Sequence, residues 1–387
     1  MEPYMNQLQC RLCLNEKIDD KKNLVTITNL LPEYIWPVEK KEVVQLSSCN
    51  VYQCPKCNHL QLQQFTDDEI VKFYIHGSFV EDNFATKKIR LNEILGELGP
   101  EFFKNKKVLD VGGGNNPFVK LLLPYTQDLA ISDFSISDEA KEVCAGNIFY
   151  GNFEESSIPE NTYDVILSFH SLEHMNEPTK VVAKMKKLLK KDGIVIVELP
   201  NFPKVVEKIP YYSIFHQHIS MFTRSTLTYL FTRQGFKLKK ILQEEMALHM
   251  VFENSQEINQ EVGVDLSSKA ISLLEKKMAH LNNTLTKILQ EYKPTKLAVY
   301  GAGGSSSLLI HHISAIKENI QFCFDRDNLK QNKYIPATQV QILSPEEIKK
   351  NNFIIFLSDR LKAIFEKELT CPSISVEGIL NQYEIHL

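Results

Sequence analysis

Between residues 107 and 201 the hydrophobic positions come in short unbroken runs, KVLDV (107–111), DLAISD (128–133), YDVIL (163–167) and IVIVELPN (194–201). Runs of that length, apolar at successive positions, are what strands covered on both faces require. The stretch 174–193, HMNEPTKVVAKMKKLLKKDG, repeats its apolar residues at helical spacing and predicts an amphipathic helix ended by Gly193. Strand, helix and strand therefore alternate, and an α/β fold with a doubly wound parallel sheet follows. The pattern restarts at 297, where LAVYGAGGSSSLLIHH reads as strand, glycine turn and helix, followed by QFCFDRDN and the strand Phe353–Ser358. That predicts a second, smaller α/β unit.

Other segments sort around these two. Apolar spacing from Phe84 through Ile89 to Leu95 predicts a helix, and Thr66 followed by Asp67, Asp68 and Glu69 resembles an N-cap with acids in the first turn. Lys269–Tyr292 predicts a long amphipathic helix, and Thr26–Thr28 and Val43–Leu46 small strands. The expected organisation is a cysteine-bearing lobe at 1–65, a helical bridge at 66–100, a sheet domain at 101–240, a helical connector at 241–293 and a Rossmann-like domain at 294–387.

Composition narrows the partners. With 387 residues, 43% hydrophobic and 24% charged, a formal charge of -4 and a pI near 6.3, the chain is an ordinary globular one lacking the basic field that nucleic acid needs. No run of about eighteen apolar residues could span a bilayer, and the N-terminus lacks a basic-then-apolar signal. A cytoplasmic location without nucleic-acid or membrane partners is the expectation; oligomeric state is left open. In a reducing compartment, cysteines in close pairs read as metal ligands before disulfides. Cys10-x-x-Cys13 and Cys54-x-x-Cys57 offer four thiolates to one tetrahedral ion, with structural zinc the natural occupant. Cys49 and His59 stand nearby as bystanders.

The sheet domain carries the chemistry. At 107–118, KVLDVGGGNNPF, a strand ending in Asp110 meets Gly112, Gly113 and Gly114. Such a turn lets a ligand lie against the backbone, and in open α/β sheets it sits where nucleotide-like cofactors bind. Pro117 occupies the third glycine position of a dinucleotide fingerprint, and no Gly-Lys-Ser/Thr ending marks a phosphate loop. S-adenosylmethionine needs only close backbone approach plus acids for its ammonium and ribose, and Asp133 ends the second strand where a ribose carboxylate belongs. A purely structural glycine turn is the alternative. Further candidates are Asn152 and Phe153 after Gly151, Phe169 and His170 with Glu173 and His174 on the next loop, and YYSIFHQHISMF at 211–222. In an extended segment His216 and His218 point the same way, which suits proton transfer or metal ligation, or two hydrogen-bonded structural histidines. Gly301–Gly304 could cradle a phosphate or serve only structure.

Taken together, the two CxxC knuckles, KVLDVGGG, FHSLEHM, ELPN, YSIFHQHISMF and VYGAGGSSSLLIHH with FDRDNLKQNKYIPAT resemble the three-domain bacterial sugar C-methyltransferases of deoxysugar biosynthesis. The resemblance covers nearly the whole chain. It implies an N-terminal zinc lobe, a central class I S-adenosylmethionine domain and a C-terminal Rossmann-like lobe, with a nucleotide-linked keto-sugar as substrate. It also implies cofactor contacts from Asp110, Gly112, Gly114, Asp133, Asn152, Phe153 and Phe169. Catalytic roles would fall on His216 as base, with His218, Tyr212, Tyr74 and His170. The family stretch Y-D-x-I-Y-H-E-H departs here: Phe215 replaces a tyrosine and Gln217 the acid between the histidines, while its Tyr-x-Tyr reads Tyr74-Ile75-His76. These changes touch the sugar-handling groups. O-methylation of a sugar hydroxyl, assisted by a divalent ion on His216, His218 and an acid such as Glu198, is therefore the alternative. A non-catalytic nucleotide-binding protein is the alternative of another class.

Overall fold

A computed structural model describes residues 8–14, 17–19, 23–30, 37–40, 47–63, 84–114, 118–126, 128–259, 261–349, 352–367, 369 and 371–383. Thr66–Glu69, Tyr74 and His76 lie outside the described residues, as does the strand expected at 43–46. The chain forms two compact units, each assembled from three stretches of sequence: 1–23, 52–202 and 218–267 in the first, and 24–51, 203–217 and 268–387 in the second. The cysteine knuckles thus share a unit with the central sheet instead of forming a lobe over 1–65.

The first unit is built on seven strands. They are β4 (Val108–Val111), β5 (Leu129–Asp133), β6 (Ile148–Tyr150), β7 (Tyr163–Phe169), β8 (Leu189–Pro200), β10 (Phe236–Glu244) and β11 (Ala247–Asn254), in the spatial order β10-β11-β8-β7-β4-β5-β6. β4 pairs in parallel with β5 on one side and β7 on the other, so the chain reverses its direction of travel across the sheet at β4. Ligands bind beyond the carboxyl ends of the strands at such a point. The reversed strand β11 lies antiparallel between β8 and β10. Residues 241–254, expected within a helical connector, are therefore the edge of the sheet.

Alternate residues feed two faces. Val108, Ile131, Val165, Leu167 and Ile196 pack with Leu91 and Ile94 of helix α1 (Phe84–Leu98). On the opposite face Leu109, Ile166, Val195 and Val197 meet Val181, Val182, Met185 and Leu188 of helix α3 (Pro178–Leu188). Fully burying each of those four helix side chains contributes about 1.5–3 kcal/mol before entropy is charged against it. A short helix α2 (Asp138–Val143), capped by Ser137, follows β5. Helix α3 stops at Leu188, five residues before Gly193. From Leu189 the chain is extended and pairs with Tyr163 through a bulge, while Lys190 reaches Asp164 at 2.8 Å. Gly193 serves that strand, because a Cβ there would stand 2.8 Å from Leu189 Cδ2. Helix α5 (Arg224–Thr232) starts with a reciprocal cap between Thr223 and Thr226.

The second unit contains β12 (Lys296–Tyr300), β13 (Ile320–Phe324), β14 (Gln341–Leu343), β15 (Asn352–Phe356) and β16 (Ser373–Ser375), all parallel in the order β14-β13-β12-β15-β16. Leu281 and Leu285 of the long helix at Ser267–Tyr292 join its core. The expected Rossmann-like unit is present, with β14 and β16 as strands that the hydrophobic pattern did not single out. Its glycine turn is tied to its own sheet: the Ala302 amide donates to Asp325 Oδ2 at 2.7 Å.

Candidate active site

A cleft opens where β4, β5, β6 and β7 end, enclosing about 1050 Å³ with its mouth included. Gly112, Asp133, Asn152, Phe153, His170 and His174 are among the residues lining it. Gly112 has φ +81° and faces the next loop so closely that a Cβ would lie 2.3 Å from Ser171 Cβ, so no other residue fits. Ser171 in turn donates to the Val111 carbonyl at 3.0 Å, stitching the glycine turn to the β7 loop. Gly114 abuts the Asp133 carboxylate, whose Oδ1 accepts from the Ser135 amide at 3.0 Å.

Asp110 sits behind the turn, 2% exposed, with Oδ2 accepting no hydrogen bond from any described residue. Burial, reinforced by Asp133, pushes its carboxyl up to about 7. Burial also raises Asp133. A carboxylate pair held this way invites a cation. Asn152 and Phe153 follow β6 on a loop that Lys184 clamps from below, donating to the carbonyls of Phe153 and Ser156, each at 2.5 Å. Phe169 does not line the cleft. Its ring packs edge-on against Phe118 at 5.0 Å and beneath the Arg90 guanidinium at 4.7 Å.

A chain of charged groups starts from His170, which lines the cleft. Glu198, at the end of β8, is gripped by both arms of Arg90 and accepts from His170 Nε2 at 2.9 Å. His170 has φ +50°, an uncommon conformation for a residue with a Cβ, and its ring remains 46% exposed. Burial opposes its charge, but the Glu173 carboxylate 3.5 Å away and the bond to Glu198 prevail and hold the imidazolium at about 9. His249, wholly buried against the other oxygen of Glu198, is pushed down to about 4 by burial and stays neutral.

Beyond His170 lies Glu173, 1% exposed, whose Oε1 is 3.5 Å from His170 Nδ1, 3.8 Å from His174 Nε2 and 4.0 Å from His218 Nε2. Burial raises a carboxyl, yet these imidazoles bring Glu173 down to about 2, so it is ionised. The rings of His174 and His218 meet edge to face at 4.8 Å. Glu198 is thus engaged elsewhere, and the acid beside His218 is Glu173. His216 and Gln217 form a turn, so the expectation that the two histidines share one face of an extended segment does not hold. His216 is 4% exposed and folds with the second unit, as does Tyr212, whose ring packs on Phe215 at 5.2 Å. Glu173 and His174, legible as candidates beside His170 in SLEHM, meet His218 here, whereas nothing in the sequence pattern marked Arg90.

In the same unit the four knuckle cysteines are buried, with Cys10 Sγ 3.6 Å from Cys57 Sγ and Cys13 Sγ 3.8 Å from Cys54 Sγ. Thiolates about 2.3 Å from one tetrahedral ion stand about 3.8 Å apart, so the four fit a closed metal site. Thr179 donates to the carbonyls of Arg11 and Leu12, and Arg233 also reaches Leu12, which fixes the first knuckle.

A family model described as a methyltransferase domain matches residues 84–241, and one described as a C-methyltransferase C-terminal domain matches 243–369. Residues 84–241, which hold most of the central sheet, are a methyltransferase domain. The C-methyltransferase NovU of Streptomyces niveus is 24% identical over 193 residues, 45% of this chain and 46% of that protein, so the match spans about half of its length. Among solved structures, the methyltransferase domain is similar to the PH0226 protein of Pyrococcus horikoshii, at 16% identity and TM-score 0.38, covering 49% of this chain and all of that one. A SAM-dependent methyltransferase from Aquifex aeolicus is similar at 15% identity and TM-score 0.35, covering 49% of this chain and 99% of the other. Among the described residues no helix is long and apolar enough to cross a membrane.

Proposed function

We propose that this protein transfers a methyl group from S-adenosylmethionine to a carbon of a nucleotide-linked keto-sugar, with structural zinc held by Cys10, Cys13, Cys54 and Cys57. The observation that carries the reading is the Glu173, His174 and His218 cluster, whose His174 lines a cleft with an acidic, glycine-rich floor. The substrate class rests on the order of motifs along the chain.

The sulfonium brings an electrophilic methyl with its own leaving group, so the protein has to align the acceptor and make it electron-rich. Asp133 accepts the ribose hydroxyls, Asp110 offsets the positive charge, and Gly112 admits the ligand to the backbone. Phe153 and Asn152 close the far side. His218 takes the proton from the carbon next to the sugar ketone, a task suited to neutral imidazole near pH 7. Glu173 orients that imidazole and stabilises it once protonated. It supplies from the β7 loop the carboxylate that Gln217 lacks, which supports carbon over oxygen as acceptor. His174, which lines the cleft, donates toward the ketone oxygen as charge builds there.

Incubation with a panel of nucleotide sugars and S-adenosylmethionine, with NMR location of the new methyl, tests the reading. With S-adenosylhomocysteine in deuterated water, the keto-sugar should exchange its alpha proton. Methylation without such exchange would move the acceptor to oxygen, and failure to bind S-adenosylmethionine would remove the activity altogether.

A further inference from the structure

We propose that Glu173, His174 and His218 also form a binding site for one divalent transition-metal ion, separate from the cysteine site, and that occupancy switches methyl transfer off. This rests on the preceding assignment of His218 only for its effect on turnover; the ion site itself stands on geometry.

One carboxylate oxygen and two imidazole nitrogens lie within 4.8 Å of one another. The two distances from Glu173 Oε1, 3.8 Å to His174 Nε2 and 4.0 Å to His218 Nε2, are too long for hydrogen bonds. Ligand atoms about 2.0–2.2 Å from a shared ion at the tetrahedral angle stand about 3.3–3.6 Å apart, so each imidazole need close on the carboxylate oxygen by only about half an ångström, and rotation of the two rings brings their nitrogens together. The independent observation is the state of Glu173: it is 1% exposed, yet neither of its oxygens accepts a hydrogen bond from any described residue. A buried carboxylate in that condition is costly unless a cation or a further donor meets it. His170 stands behind it at 3.5 Å, fixed by Glu198 through its other nitrogen, which is the position of an outer partner that orients a metal-bound carboxylate. Two imidazoles and one carboxylate suit zinc, cobalt, manganese or iron and leave coordination positions open. His174 lines the cleft, so an ion can enter from there.

The consequence is a competition. An ion on the Nε2 lone pair of His218 occupies the orbital that would take the proton, so the loaded enzyme has no base.

Cobalt(II) is the probe. With the cysteine site already filled by zinc, added cobalt should bind with a micromolar constant and give weak visible bands without the near-ultraviolet charge transfer that thiolate ligation produces. Glu173→Gln and the double variant His174→Gln/His218→Gln should weaken that binding at least a hundredfold; retained zinc and an unchanged melting temperature would show that they are folded. Saturating zinc should slow wild-type transfer by about 10² and a mild chelator should restore it. Absence of saturable cobalt bands up to about 1 mM would overturn the site, as would full cobalt binding in the folded double variant. Activation by the ion would overturn the switch. Calorimetry with S-adenosylmethionine alone keeps the two ideas apart: normal cofactor binding without cobalt binding removes only the ion, whereas the reverse removes only the assignment of the cleft.

Discussion

Two histidines two positions apart have separate fates in this fold. The turn at His216 and Gln217 sends His216 into the packing of the second unit, while His218 meets Glu173 and His174. His218→Asn should therefore lower turnover by about 10² to 10⁴ while leaving cofactor affinity within a few-fold, as single-turnover rates and calorimetry would show. His216→Asn should act through stability instead, and a wild-type rate in folded His218→Asn would sink the assignment. Asp110 makes a second prediction. Its folded value of about 7 lies above the ordinary aspartate range, so in the free protein it takes up a proton as pH falls through 7. A cationic ligand favours the ionised form, and S-adenosylmethionine affinity should drop by about tenfold from pH 8 to pH 6. Asp110→Asn should bind more weakly at pH 8 and lose most of that dependence. The types of residue at the site were legible in the sequence; their partners were not. Glu198 was visible as an acid at a strand end, yet only the fold shows that Arg90, more than a hundred positions earlier, holds it.

At the scale of elements, strands buried on both faces announced themselves, because continuous apolar runs such as VLDV and IVIVEL have few other uses. β10 and β11 did not. FKLKKILQE interleaves lysines with apolar residues and ALHMVFEN is short, so the pair resembles polar connector until β8 offers an edge. Element ends were also obscured: the helix before β8 stops where Leu189 begins to pair, a tertiary event that overrides the local lysine-rich pattern. The loop at 152–156 shows how one element supports another. Lys184 on α3 donates to the Phe153 and Ser156 carbonyls, and burial lowers its own basicity. Lys184→Met should leave those carbonyls without their donor, cost about 1–3 kcal/mol of stability and weaken cofactor binding several-fold. Thermal melts and calorimetry check both, and an unchanged affinity would place the ligand away from Phe153.

For the molecule as a whole, the prediction that bears most directly on folding concerns the cysteine site. Cys10, Cys13, Cys54 and Cys57 are all 4% exposed or less, and Tyr229 and Thr179 contact the same knuckle. Metal analysis should find about one zinc per chain at that site, and Cys54→Ser should reduce soluble yield before it changes chemistry. A well-folded, zinc-free Cys54→Ser protein would refute the role. The CxxC spacing made the gathering of these four cysteines readable without a structure, since two close pairs of thiols have few alternatives. The two-unit division was not readable, because hydrophobic pattern reports local period and is silent on which stretches later assemble together.

The knuckle also sets an order of events during synthesis. Its last cysteine, Cys57, is made 122 residues before Thr179, which secures the Arg11 and Leu12 carbonyls, and further still before Tyr229. At roughly 5–20 residues per second a ribosome needs about 6 to 25 seconds to cover that distance. Throughout this interval the four thiols lack the helices that bury them in the fold. The nascent chain is therefore expected to select its metal from what the compartment supplies, and the sheet closes afterwards over a choice already made.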